Sequence, residues 1–271
     1  MGRIKVGAYD VISLLDTKGS LPLSFVFPDT PAGAWSAYRE VYPEAFDGDN
    51  FNAGFQCFAI VGGGQTVIVD TGLGPTAQVT AQHGQPDLLN EMRRNGIDAS
   101  GVDAVIFTHL HGDHIGWNYV NGALSFPKAR FVAQQADWDH FTGINDVTVS
   151  RLVAPLHKDG KLELVSGETQ FNDAITLLPT PGHTPGHQSV VVSSAGQSAF
   201  IAGDLLHNPA QSQETAWKDN FDVDAAVSAA TRERIFAQLE RDATPAGFAH
   251  MPWPEFGVFV RESDRRVFRV S

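Results

Sequence analysis

The chain has 271 residues, 42% hydrophobic and 18% charged, which is long and apolar enough for a sizeable core and rules out wholesale disorder. With 19 basic and 31 acidic residues its formal net charge is −12, which argues against nucleic acid or an anionic membrane as a partner. The single cysteine, Cys57, excludes an intrachain disulfide and a thiolate-built zinc cluster, and no apolar run reaches the ~18 residues of a membrane span.

Residues 4–15 alternate loosely and predict an opening strand. The stretch 19–52 is rich in Pro, Gly and aromatics (Phe25, Phe27, Trp35, Tyr38, Tyr42, Phe46) and reads as an irregular arm. Two apolar runs, 55–61 and 65–69, flank Gly62-Gly63-Gly64 and predict a hairpin. A helix follows at 86–94, with Leu88, Leu89 and Met92 on one face, then strands at 102–107 and 129–133 and a helix at 134–141. The second half carries strand-like runs at 162–165, 175–178, 189–192 and 199–202. A helix capped by Asp222 or Asp224 runs to about Arg241, with Val227, Ala230, Ile235 and Leu239 as its expected core face. Strands at 257–260 and 266–270 close the chain. We read residues 1–271 as one domain of sheets covered by helices. The opening residues contain acids and no sustained apolar stretch, so no signal peptide is read and a cytoplasmic location is expected.

The chemistry concentrates in Thr108-His109-Leu110-His111-Gly112-Asp113-His114, directly after the 102–107 strand. Imidazole and carboxylate suit zinc, iron, cobalt or nickel. His109 and His111 are two apart and face the same way in extended chain. A turn after His111 would swing Asp113 and His114 back toward them. Four ligand-type side chains exceed what one ion needs from one segment, so two ions are expected. Further candidates lie just past apolar stretches: His183 in Thr180-Pro181-Gly182-His183, Asp204 in Ala202-Gly203-Asp204, and His250 in Gly247-Phe248-Ala249-His250.

His109-x-His111-x-Asp113-His114 followed by His183, Asp204 and His250 resembles the metallo-β-lactamase-fold superfamily, over about residues 55–270. The resemblance implies an α+β, four-layer αβ/βα sandwich with metals between the sheet edges. It implies one ion on His109, His111 and His183, a second on Asp113, His114 and His250, and Asp204 bridging them. Asp70, in Val69-Asp70-Thr71-Gly72, matches the superfamily's early Asp, which orients a ligand from behind. The segments 203–211 and 249–254 are similar to the branch of methyl parathion hydrolase and related lactonases. Acyl-homoserine lactonases place a Tyr near the bridging Asp, whereas here the third residue after Asp204 is His207.

The implied protein is a dinuclear hydrolase of esters or lactones, acyl-homoserine lactones included, with organophosphate triesters as a secondary activity. A metal-bridging hydroxide would attack, and Asp113 would orient it or shuttle a proton. The two divalent ions are expected to be zinc, with manganese, iron or cobalt as alternatives. The expected substrate is small, neutral and moderately hydrophobic. His207, Trp117 and Trp253 are candidate pocket residues, and Trp138, Phe141, Trp217, Phe221 and the 25–46 arm could add to the wall. The arm could equally form a homodimer contact. A β-lactam hydrolase, a glyoxalase-type thioesterase and a non-catalytic metal-binding regulator are the alternatives. His187 is expected to pack behind its turn rather than bind metal. His83, His140 and His157 read as ordinary surface residues, and Cys57 as a small core hydrophobe.

Overall fold

Val67, Ile68 and Val69 are all buried, and they face two different cores: Val67 and Val69 one way, Ile68 the other. A strand buried on both faces needs a layer against each, and that requirement organises the architecture. A computed structural model describes residues 2–75 and 84–270. His83 lies outside the described residues.

The first sheet contains β1 (Arg3–Val6), β2 (Tyr9–Pro22), β3 (Phe46–Asp47), β4 (Asn50–Gly62), β5 (Gln65–Val69) and β6 (Ala104–Ile106). A small hairpin follows, β7 (Tyr119–Val120) and β8 (Ala123–Leu124). The sheet is completed by β9 (Arg130–Gln134) and β10 (Leu162–Val165), in the order β1-β2-β4-β5-β6-β9-β10, with β3 on β4. The second sheet runs in chain order through β11 (Thr169–Gln170), β12 (Ile175–Pro179), β13 (Gln188–Ser194), β14 (Gln197–Ile201), β15 (Ala246–Gly247), β16 (Gly257–Glu262) and β17 (Arg265–Val270).

The sheets meet through Phe58, Ile60, Val67, Val69, Ala104, Ile106 and Val132 on one side and Ile175, Leu177, Val190, Val192 and Ile201 on the other. Behind the first sheet, Ile68, Val105 and Phe131 pack against Leu88 and Met92 of the Leu88–Arg94 helix, Phe141, and Val149. Behind the second, Phe200, Phe259 and Phe268 pack against Ile235, Phe236 and Leu239 of the Ala225–Asp242 helix. The layers are therefore helix, sheet, sheet, helix: the expected four-layer sandwich. No helix among the described residues is long and apolar enough to cross a membrane.

Three expectations are corrected. The opening strand is two strands, because Gly7 adopts φ +56°, a left-handed turn conformation that glycine takes without steric cost, and β1 folds back on β2. The arm is shorter than 19–52: β2 and β4 pair through Gly19↔Ala53 and on to Pro22↔Asn50. The core face of the Ala225–Asp242 helix is Ser228, Thr231, Arg232, Ile235, Phe236 and Leu239, while Val227 is 40% exposed and Ala230 is exposed. Apolarity alone selects the wrong stripe there, because a buried arginine with carboxylate partners occupies the inward one. Asp224 is the cap, accepting from the amides of Ala226 and Val227.

Candidate metal centre

β6 ends at Ile106, and the chain leaves the sheet edge carrying Thr108, His109 and His111 before the short Gly112–Ile115 helix turns Asp113 and His114 back. His183 sits in the turn between β12 and β13, Asp204 just after β14, and His250 after β15. All seven expected metal-type residues come together at this edge.

His111 Nδ1 lies 3.0 Å from both His109 Nε2 and His183 Nε2. Asp204 Oδ2 lies 3.6 Å from His109 Nε2 and 3.3 Å from His183 Nε2. On the other side, His114 Nε2 is 3.3 Å and His250 Nε2 3.2 Å from the same Asp204 oxygen. Asp113 Oδ2 stands 3.7 Å from His114 Nε2 and 3.4 Å from His250 Nε2. A tetrahedral ion with nitrogen ligands at about 2.0–2.1 Å holds its donors roughly 3.3 Å apart. The donors thus form two clusters with the spacing of two ion sites, sharing Asp204.

The electrostatics fit a cation at both. Burial and the neighbouring His183 hold His111 down to about 3, and burial and His114 hold His109 well below the usual imidazole range. Neutral imidazole is the ligand form. At His114 burial opposes charge, yet the Asp204, Asp113 and Asp70 carboxylates outweigh it and push the group well up. Those three carboxylates demand positive charge beside the buried His114 Nε2, which, like the buried Asp204 Oδ1, makes no hydrogen bond among the described residues.

The backs of the rings are held. Asp70, in a left-handed conformation at φ +62°, accepts from Thr108 and from His114 Nδ1 at 2.9 Å. His250 Nδ1 donates to the Gly54 carbonyl at 3.0 Å, tying β4 to the centre. His187 behaves as expected: its Nδ1 faces the Thr180 carbonyl at 3.0 Å, and its Nε2 accepts the Asp204 amide at 3.0 Å. A Cβ on Gly203 would fall 2.7 Å from His187 Nε2 and 2.9 Å from Thr108 Cβ, and with φ +59° this position requires glycine.

Sequence reasoning missed Asp137 and Arg232. The buried Asp137 carboxylate accepts from the Leu110 and Gly186 amides and the Thr184 hydroxyl, so it joins the two histidine-bearing loops. Arg232 lies behind His183 and His207 with Asp219 and Asp222. Neither carries a local motif: Asp137's partners lie 27 to 49 residues away, and Asp222 stands 10 residues before Arg232 with no pattern that marks the pair.

A cleft of about 500 Å³ opens on the cluster. Leu21, Phe25, Val26 and Phe51 of the arm and its flanking strands, with Phe55, Leu73, Leu152 and Phe221, form its apolar wall. His111, Asp113, His183, Asp204, His207 and His250 form the floor, and Thr148 and Arg151 add polar groups. Two expected pocket residues are corrected. Trp117 is buried in the core, where its indole N–H donates to Asp16 at 2.8 Å, a partner it needs once buried. Trp253 lines a separate cavity beside Tyr42, because Gln56 Nε2 holds the carbonyls of Met251 and Trp253 and leads the chain away from the centre. His207 does face the cleft, its Nε2 3.3 Å from Asp204 Oδ2. Of the other aromatics, Phe221 lines the wall, Trp138 stacks on His157, and Trp217 packs on Trp35 and Tyr38.

Fold and site together define a metal-dependent hydrolase. The chain belongs to the Metallo-beta-lactamase superfamily, whose family profile matches residues 56–245. It is 24% identical over 193 residues to an N-acyl homoserine lactonase from a Bacillus species, covering 65% of this chain and 73% of that protein. The match to N-acyl homoserine lactonase from Bacillus thuringiensis covers 58% of that protein's length. The structure superposes on the hydrolase AbOPH of the beta lactamase superfamily with TM-score 0.87 at 18% identity, covering 100% of this chain and 97% of that one. It superposes on AidC, a dizinc quorum-quenching lactonase in complex with a product, with TM-score 0.85 at 19% identity, covering 99% and 96%. At such identities the structural likeness is one of fold.

Proposed function

We propose that the chain is a dizinc hydrolase of lactones and related carboxylic esters. The observation that carries this reading is the position of one oxygen, Asp204 Oδ2, within 3.6 Å of imidazole nitrogens from both donor clusters. His109, His111 and His183 would hold one ion, Asp113, His114 and His250 the other, and Asp204 both. Two ions so placed supply a water activated near neutral pH and an electrophile for the carbonyl oxygen. The donor set is nitrogen and oxygen throughout, which suits zinc.

The protein's own groups do the rest. Asp113 is the ligand-type carboxylate with a quarter-exposed side chain, so it can take a proton from the attacking water and return it to the leaving alkoxide. The wall of Leu21, Phe25, Val26 and Phe51 holds an apolar acyl group and keeps water from it. The matched Bacillus lactonases support the substrate class, and a neutral N-acyl homoserine lactone fits a cleft that is apolar on one side and polar at the floor.

The test is a hydrolysis panel on the zinc-loaded protein: N-acyl lactones of several chain lengths, a simple ester, nitrocefin, a glutathione thioester and a phosphotriester. Lactone turnover at the highest kcat/KM supports the reading, and phosphotriester turnover would be the lesser activity. Preference for nitrocefin or the thioester, or no turnover of any member, would overturn it.

A further inference from the structure

Arg232 has no exposed surface, yet it carries a charge. A guanidinium is costly to bury unless its protons find acceptors and its charge a partner. Here Nη1 donates to the carbonyls of Thr215 at 3.0 Å and Trp217 at 2.7 Å, and Nη2 donates to Ser228 Oγ at 2.7 Å and to Asp222. Asp219 Oδ2 lies 3.8 Å from the same Nη2. The two carboxylates then reach forward to two imidazoles. Asp222 Oδ1 faces His183 Nδ1 at 3.4 Å, and Asp219 Oδ2 lies 3.0 Å from His207 Nδ1. Backbone bonds from Val223 to the His183 carbonyl and from Asp224 to the Gly182 carbonyl fasten the same segment to the His183 turn.

We propose that Arg232, Asp222 and Asp219 form one buried clamp that positions His183 and His207 together, and that Asp222 keeps the His183 proton on Nδ1 so that Nε2 is open to an ion. This rests on the two-ion reading above. The chemistry lies in how the Asp222 oxygens are divided. Oδ2 serves the guanidinium, while Oδ1 serves the Ser228 hydroxyl and the His183 N–H. In an Asp222→Asn protein one oxygen remains for these donors. The charged guanidinium takes it, and an NH2 group then faces His183 Nδ1. Two donors cannot face each other, so the His183 proton shifts to Nε2, the atom that the ion requires.

Asp222 faces His183 of one donor cluster directly, whereas the other cluster is met through His207, whose ring stacks on His250. His114 and His250 are held from behind by Asp70 and the Gly54 carbonyl, far from Arg232 in the chain. The expected signature is therefore asymmetric. Competition of zinc-loaded protein against a chelator of known affinity should show, in Asp222→Asn, one ion weakened 10–100-fold and the other at wild-type affinity. Long-range proton–nitrogen NMR should place the His183 proton on Nδ1 in wild type and on Nε2 in the apo variant. Asp219→Asn alters a carboxylate that faces His207 and Arg232 but does not reach His183, and it should keep both ions at wild-type affinity. Thermal melting of each variant monitors the fold.

Both ions at wild-type affinity in Asp222→Asn would overturn the clamp. So would equal weakening of both ions with a large drop in Tm, because a merely structural role predicts that result. Wild-type protein that takes up fewer than two ions would overturn the two-ion reading and the proposal with it.

Discussion

Asp70 and Thr108 are joined at two points: Asp70 Oδ1 accepts the Thr108 amide at 2.7 Å, and Oδ2 accepts its hydroxyl at 2.7 Å. The same hydroxyl oxygen faces His109 Nδ1 at 3.1 Å, and the same carboxylate takes His114 Nδ1. One carboxylate therefore orients an imidazole in each donor cluster, one directly and one through Thr108. Asp70→Ala is expected to weaken both ions, by about 10–100-fold. Metal titration checks this, and unchanged affinity would remove Asp70 from the role.

Asp204 is shared, so its loss cannot be local. Asp204→Asn is expected to abolish lactone hydrolysis and to lower zinc content below two per chain while circular dichroism stays native. Full turnover in this variant would contradict the assignment.

Phe25 is 51% exposed and borders the cleft. Phe25→Ala should change stability by no more than about 0.5 kcal/mol, since little packing is lost. It should raise KM for long-chain acyl lactones by about 1 kcal/mol equivalent and leave short-chain substrates nearly unchanged. Steady-state kinetics across a chain-length series is the measurement, and a uniform change over all lengths would rule out the acyl wall.

The ions themselves should stabilise the fold by mass action, because the donor clusters bring together the ends of distant strands. Chelation should lower Tm and added zinc should restore it. A Tm indifferent to chelation would mean that the edge is held without metal.

At the opposite end of the second sheet, Arg266 joins Glu233 and Glu240 of the Ala225–Asp242 helix to β17. The hydrogen bond from Arg266 holds Glu233 below the usual carboxylate range. At Glu240 burial pushes up, but the bonds from Arg266 and Arg261 outweigh it and the net direction is down. Groups lowered in the folded state add stability above the unfolded carboxylate value of about 4.3, and that stability is lost as pH falls through the folded values. Arg266→Gln should therefore cost about 1 kcal/mol at neutral pH and flatten the decline of Tm between neutral and acid. Parallel acid limbs for variant and wild type would refute the linkage.

The ligand-type residues were legible because they cluster in short motifs at strand ends, and strand ends could be read from β-branched runs such as that of β5. The two-sheet core was legible for the same reason: Val190 and Val192 alternate with Val191 between two buried faces. What failed were features decided by tertiary contacts that no local pattern marks. Arg232 looks like a surface residue until Asp219 and Asp222 stand beside it, and its burial rotated the helix face away from Val227. Aromatic character marks Trp117 and Trp253 as candidates for an apolar cleft wall, yet both point elsewhere. Their directions are set by Asp16 and Gln56, about a hundred or more residues away.

The segment between β2 and β4 supplies wall to the cleft and no donor to the metal centre. Admission and reaction are thus encoded in separate stretches of one gene. Drift within the arm can retune which molecules enter while the reacting groups stay untouched, so chains of this kind should diversify in diet much faster than in chemistry.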